Sequence, residues 1–234
     1  MSVQHPTAFT YGYPELPSAF DRAVLLVDKA IDRTSFDVVR DVRRLTDEKV
    51  GHAGTLDPKA TGLLIMLVGR ATKLMESYME LPKMYEGTLR LGEITPSYDT
   101  ETAVVKERDP SGVTADMIEA ARTEFLGTIT QLPPMHSAVK VGGEPLYKKA
   151  RRGESVDRPP RQVTIHAFDI TDRSGPDVSF RVRCSKGTYI RTLAFDLGEA
   201  LDVGAHLTEL RRTAIGPYSV GDAWTVDRLA DALT

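Results

Sequence analysis

Apolar residues fall along this chain in three different rhythms. Gly62-Leu63-Leu64-Ile65-Met66-Leu67-Val68-Gly69 is a continuous apolar run between glycines, the pattern of a strand covered on both faces. From Val178 to Ser185 the rhythm changes to strict alternation, with Val178, Phe180, Val182 and Cys184 against Ser179, Arg181, Arg183 and Ser185. That predicts a half-buried strand with a basic outer face. Met84 to Leu91 alternates as well, with Tyr85, Gly87, Leu89 and Leu91 on one face, and Ala23 to Val27 is a further strand candidate.

Helical spacing appears in three other places. Val38, Val39, Val42 and Leu45 follow a capping Ser35; Met117, Ile118, Ala121 and Phe125 follow Thr114; Ile190, Leu193, Ala194, Leu197 and Leu201 share a third face. Ala71 to Glu80 is also predicted as helix. Residues 1–20, with prolines at 6, 14 and 17, show no period and are expected to form an extended or partly disordered arm. Pro and Gly between Gln131 and Gly153 predict a long basic loop without regular structure. There is no internal repeat and no interdomain linker, so residues 21–234 are expected to be a single domain.

At 234 residues and 41% apolar content the chain can bury one sizeable core. No apolar stretch is long enough to span a bilayer, and MSVQHPTAFT lacks the features of a signal peptide. One cysteine, Cys184, cannot form an internal disulfide, which agrees with a cytoplasmic location. Five scattered histidines lack ligand spacing, so no metal is expected. The net charge of −3 is not what a nucleic-acid-binding protein advertises, but its distribution is uneven. Lys140 to Arg161 holds seven Lys/Arg against three acids, and Val178 to Phe195 four against none. Clusters of this kind are often only solvated faces; placed on one side, they would bind phosphates even on an acidic protein.

The densest chemistry lies in Val50 to Leu74, VGHAGTLDPKATGLLIMLVGRATKL, where Asp57 sits in a Gly/Pro-rich turn with His52 upstream. Asp-Pro is also what a helix start looks like, and capping aspartates far outnumber catalytic ones. The apolar strand that follows argues instead for a carboxylate held in a tight turn at the mouth of a buried strand. Arg191 falls in the first turn of its predicted helix, where the dipole prefers acids, which suggests a specific carboxylate partner.

GHAGTLDPKATG followed by GRATK resembles the signature of the tRNA pseudouridine-55 synthases of the TruB type. Further blocks match that family in order: Lys83 to Gly92 (K-x-Y-x-G-x-x-R-L-G), Gln131 to Lys140 (Q-x-P-P-x-x-S-A-x-K), Tyr147 to Gly153, Ser185 to Arg191 (S-K-G-T-Y-I-R) and Leu210 to Gly216. The segment Asp28 to Ser35 occupies the place of D-K-P-x-G-x-T-S but has Ala30 for the proline and Asp32 for the glycine. The T-D-T-x-D loop is matched only loosely around Asp99, which receives no role. The blocks cover about Ala23 to Tyr218. Eighteen residues follow Gly216, too few for the PUA domain of many members.

The resemblance implies an α/β chain of the α+β type: the pseudouridine synthase fold, with a mixed, mostly antiparallel central sheet flanked by helices and a catalytic cleft. It implies Asp57 as the catalytic carboxylate, Arg191 as its partner and Tyr85 against the target base. Tyr189 and Leu210 are implied as pocket residues, and Lys29, Lys186 and His52 as further substrate contacts, His52 filling or stacking on the vacated T-loop position. The implied reaction, uridine to pseudouridine at position 55 of the tRNA T loop, breaks the C1′–N1 bond and makes C1′–C5. Oxidation level and atom count are unchanged, so no cofactor is demanded. The chain would act as a monomer with no obligate protein partner. The alternatives are a noncatalytic tRNA-binding and folding factor, a guide-RNA-dependent pseudouridylase, and an aspartate-nucleophile hydrolase for which no motif is present.

Overall fold

A computed structural model describes residues 10–137, 139–154 and 156–233. In chain order the elements are β1 (Thr10–Tyr11), β2 (Arg22–Lys29), α1 (Ser35–Thr46), β3 (Val50–His52), β4 (Thr61–Gly69), a 3-10 turn (Arg70–Leu74), α2 (Met75–Glu80) and β5 (Lys83–Leu91). Then come β6 (Glu93–Ile94), β7 (Lys106–Glu107), α3 (Ala115–Thr123), β8 (Gly127–Gln131), β9 (Lys140–Val141), β10 (Glu144–Pro145), α4 (Leu146–Arg151), β11 (Arg161–Ser174) and β12 (Asp177–Cys184). The chain closes with α5 (Ile190–Ala200), β13 (Ala205–Ile215), β14 (Tyr218–Ser219), β15 (Trp224–Thr225) and α6 (Val226–Leu233). These elements form two compact units, one of residues up to Tyr85 together with Leu210 onward, the other of Glu86–Glu209.

In the first unit β2 and β4 pair antiparallel from Arg22↔Gly69 to Lys29↔Gly62, and β13 runs parallel to β4 at Arg211↔Thr61 and Arg212↔Gly62. The unbroken apolar sequence of β4 has the expected consequence: Leu63 to Val68 are all fully buried. One face packs Leu63, Ile65 and Leu67 with Val24, Leu26, Tyr78, Leu81 and Ile215. Stretch 10–15, at the end of the expected arm, is held by parallel pairing of β1 with β2 and by an edge-on contact of Tyr13 with Trp224 at 5.0 Å. Residues 1–9 lie outside the described residues.

Helix α1 starts one residue earlier in its cap than the sequence predicts. Thr34, not Ser35, is the N-cap, in a reciprocal capping box with Asp37. That leaves the Ser35 hydroxyl for Leu56, whose backbone N–H donates to it at 2.9 Å and whose carbonyl it donates to at 3.0 Å. A second departure concerns the stretch predicted as a long loop. Lys140–Val141 and Glu144–Pro145 pair as a short antiparallel hairpin, and Leu146–Arg151 is a helix anchored by fully buried Leu146. The glycines that suggested irregularity, Gly142 and Gly143, both have positive φ and make the hairpin turn.

The second unit carries β12, β11 and β8 in order, all antiparallel. Alternation in β12 places Val178, Phe180, Val182 and Cys184 inside and leaves Arg181 and Arg183 exposed. Phe168 meets Phe180 edge-on at 5.9 Å, and Ile190, Leu193, Ala194 and Leu197 bury the inner face of α5.

Gly62 joins the Asp57-Pro58 turn to the β4 core. Its φ is +105°, and a Cβ there would sit 2.3 Å from the Arg212 carbonyl oxygen. Gly62→Ala should therefore lower stability by about 3 kcal/mol or more, read as a shift in the urea unfolding midpoint.

Candidate active site

Asp57-Pro58 forms a turn leading directly into β4, not the start of a helix. The backbone on both sides of Asp57 is tied down almost residue by residue. Arg212, 1% exposed, donates through Nη2 to Gly54 O at 3.0 Å, through Nη1 to Thr55 O at 3.4 Å and through Nε to Leu63 O at 2.7 Å. Ser35 holds both polar backbone groups of Leu56. Pro58 O accepts from Lys29 Nζ at 3.2 Å and from Asp32 N–H at 2.9 Å. Lys59 pairs with Asp32 at 2.7 Å, and Ala60 N–H closes the turn on Asp57 O at 3.1 Å. Asp57 itself is half-buried.

Lys29 is fully buried, and its ammonium also donates to Ala30 O at 2.9 Å and Arg33 O at 2.7 Å. Its three donors therefore go to turn carbonyls. Burial lowers its pKa to about 8, while the charges of Asp57 and then Asp32 hold it up. Asp32 stands where the family pattern has glycine and takes the left-handed conformation a glycine would, at φ 60°. The substitution is accommodated by its backbone bond to Pro58 and its ion pair with Lys59.

Around this turn the first unit gathers four more of the predicted site residues or their supports. Burial, then the Arg212 charge, depress the His52 pKa, so its half-buried ring is neutral. Tyr85 is buried, with the Arg212 guanidinium 6.0 Å from its ring centre. Half-buried Leu210 offers its carbonyl to Thr61 Oγ1 at 3.5 Å. Beside it Arg211 makes a two-pronged ion pair with Asp28, at 3.1 and 2.6 Å.

In the second unit Tyr189 is the N-cap of α5 and Arg191 lies in its first turn. Arg191 is 3% exposed. It donates to Ser97 O and His136 O, each at 2.8 Å, and its Nε lies 3.6 Å from the buried Asp99 carboxylate. Tyr189 is half-buried beneath the Arg161 guanidinium, 5.1 Å from its ring centre. Lys186 is exposed. Among the described residues no group of His, Cys, Asp and Glu side chains could hold a metal ion.

Arg212 and Asp99 are the supports that sequence reasoning missed. Arg212 sat inside a matched block, but nothing local distinguishes a buried arginine from a surface one. Asp99 carried a weak signal in its partial motif match. Arg212→Lys keeps the charge but removes the planar fork that serves three carbonyls; a loss of about 2–4 kcal/mol is expected in urea unfolding, because buried acceptors are left without donors. A second prediction concerns pH. Lys29 binds its proton less tightly in the folded chain, at about 8, than at the unfolded value of 10.5. Between these limits the unfolded state holds more protons, so this group's contribution raises stability as pH rises from 8 to 10.5 and is lost as pH falls through 8. Urea midpoints measured across that range should show the rise, and Lys29→Met should remove it.

Comparison with known proteins bears on most of the chain. Residues 42–190 match the family model described as "TruB family pseudouridylate synthase (N terminal domain)" and residues 191–234 the one described as "tRNA pseudouridylate synthase B C-terminal domain". The tRNA pseudouridine synthase B of Opitutus terrae is 48% identical over 207 residues, covering 88% of this chain and 86% of that protein. Its counterpart in Chlorobaculum tepidum is 50% identical over 216 residues, covering 90% of each. Among solved structures, a Cbf5-Nop10-Gar1 complex contains a chain that matches with a TM-score of 0.72 and 31% identity, covering 97% of this chain. This chain spans 59% of the length of that one. The fold is accordingly that of the pseudouridine synthases, and the chain belongs to the TruB family of pseudouridylate synthases.

Proposed function

We propose that this protein isomerises uridine to pseudouridine at position 55 in the T loop of tRNA, with Asp57 as the catalytic carboxylate. The observation that carries this is the GTLDP turn, in which Gly54, Thr55, Leu56, Pro58, Lys59 and Ala60 are each bonded, so that the backbone carrying Asp57 is fixed. A carboxylate can serve as nucleophile or base toward the detached sugar or uracil, and preorganised placement is what makes it effective.

The target uracil has to leave its stack, at a cost of a few kcal/mol. Tyr85 is proposed to lie against the extruded base and recover part of that cost through its ring. Arg191 is proposed as the guanidinium that supports the ionised carboxylate during the reaction, with Tyr189 and Leu210 lining the base pocket. His52, neutral and half-buried, fits the role of filling or stacking on the vacated T-loop position better than acid-base work. Lys29 is proposed to act through the turn it clamps. Exposed Lys186 and the exposed arginines of β12 supply positive charge for the phosphates of the T stem-loop. The same reading has the protein working on tRNA in the cytoplasm as a monomer, without an obligate protein partner; no helix of the described residues is long and apolar enough to cross a membrane.

The test is incubation with an unmodified tRNA transcript, without added metal or cofactor, followed by carbodiimide mapping of pseudouridines. One modified position in the T loop is expected. Asp57→Asn should abolish that product while leaving tRNA affinity within about twofold, since phosphate contacts supply most of the binding. Undiminished product from the variant would refute the catalytic assignment; tRNA refolding by wild type with no product would favour the folding-factor alternative.

A further inference from the structure

The block Gln131 to Lys140 reads in sequence as part of a substrate-grasping loop, but its first residues face a different task. Gln131 is the last residue of β8 and is fully buried. Its amide makes two hydrogen bonds to the backbone of a single residue: Tyr189 N–H donates to Oε1 at 2.9 Å, and Nε2 donates to Tyr189 O at 3.1 Å. Tyr189 is the N-cap of α5, a helix whose cap side chain makes no capping bond. The Tyr189 carbonyl also receives the first helical N–H, from Leu193 at 3.1 Å. Gln131 thus holds the N-cap residue itself from another strand, through both of its backbone polar groups, where no side chain of the helix start does so locally.

Two further contacts extend the grip along the same helix turn. The next residue, Leu132, offers its carbonyl to Thr192 Oγ1 at 3.4 Å, and the His136 carbonyl accepts from Arg191 at 2.8 Å. On the other side, Arg161 is the direct register partner of Gln131 on β11. Its guanidinium lies over the Tyr189 ring, so two paired strand residues hold one tyrosine by its backbone and by its aromatic face. The preceding loop is pinned to the same strand, with Ser185 N–H on Thr164 O at 2.8 Å and Thr164 N–H on Ser185 Oγ at 2.9 Å.

We propose that Gln131, supported by Arg161, is a positioning residue for the isomerisation, setting the Tyr189 ring and the first turn of α5 that carries Arg191. The inference rests on the functional reading above, in which Tyr189 lines the base pocket and Arg191 supports the catalytic carboxylate. An apolar side chain of similar length at position 131 takes away the acceptor of the Tyr189 N–H and leaves the Tyr189 carbonyl with the Leu193 N–H, which frees the helix start to shift. A displacement of an ångström at a reacting group costs up to about a hundredfold in rate.

The experiment uses the full chain and an unmodified tRNA transcript and compares wild type, Gln131→Met and Gln131→Glu. Gln131→Met should lower the single-turnover rate about ten- to a hundredfold, with tRNA affinity within about twofold of wild type and the folded fraction unchanged by circular dichroism. Gln131→Glu supplies a readout that a merely structural role would not move. Ionised, it offers only acceptors to Tyr189; protonated, it restores one donor and one acceptor in the arrangement of the amide. Its rate relative to wild type should climb as pH falls from about 8 to about 5.5, buried carboxyl groups being protonated more readily, while that of Gln131→Met stays flat. Wild-type turnover by Gln131→Met, or losses matched by equal losses of folded protein and tRNA affinity with no pH-dependent recovery in Gln131→Glu, would overturn the proposal. An inactive wild type would overturn the functional reading instead, a result visible before any variant is compared.

Discussion

A side-chain carboxylate on a surface turn samples many orientations; one whose neighbours are all bonded samples few. In this protein the turn from Gly54 to Ala60 is held by Arg212, Ser35, Lys29, Asp32 and Lys59. Apart from Lys59, which belongs to the turn itself, these groups come from β2, the loop after it, α1 and β13, so the orientation of Asp57 depends on elements spread across the first unit. Local turn propensity alone would leave it loose. Gly62 adds the steric side of the same constraint, because any side chain there collides with the backbone of Arg212.

Two of the clamping groups are cations buried against carbonyls, and their physics differs. Arg212 spreads its charge over a planar fork whose nitrogens find acceptors in three directions, which suits burial. Lys29 is a compact ammonium that resists burial, and the drop of its pKa to about 8 records that cost. It keeps its proton at neutral pH because Asp57 and Asp32 are close. The Asp57 turn and the lysine that clamps it therefore stabilise each other electrostatically, and Asp32, in the place of a family glycine, belongs to that arrangement.

The second unit solves the same problem by other means. Arg191 is buried in the first turn of α5, against the preference of the helix dipole, and is accommodated by two carbonyls and the Asp99 carboxylate. The helix start itself is held by Gln131 and Arg161 rather than by a cap of its own. Both units place a charged side chain on a short turn or helix start and fix it through partners distant in sequence.

Burial rhythm was legible in the chain from the start. The two-sided apolar run of β4, the alternation in β12 and the helical faces of α1 and α5 are properties of a few consecutive residues, so they could be read without a fold. The contiguous motif around Asp57 likewise identified the family. What sequence could not show were pairings such as Arg212 with Gly54, 158 residues apart, or Gln131 with Tyr189, 58 apart. Nor could it separate Thr34 from Ser35 as the cap, because that choice turned on Leu56 needing the Ser35 hydroxyl. Local pattern determined which residues are inside and singled out the turn around Asp57; tertiary structure decided what holds that turn still. The reason is that a hydrogen-bond partner is selected by topology, and topology brings together residues between which the intervening sequence carries no trace of the contact.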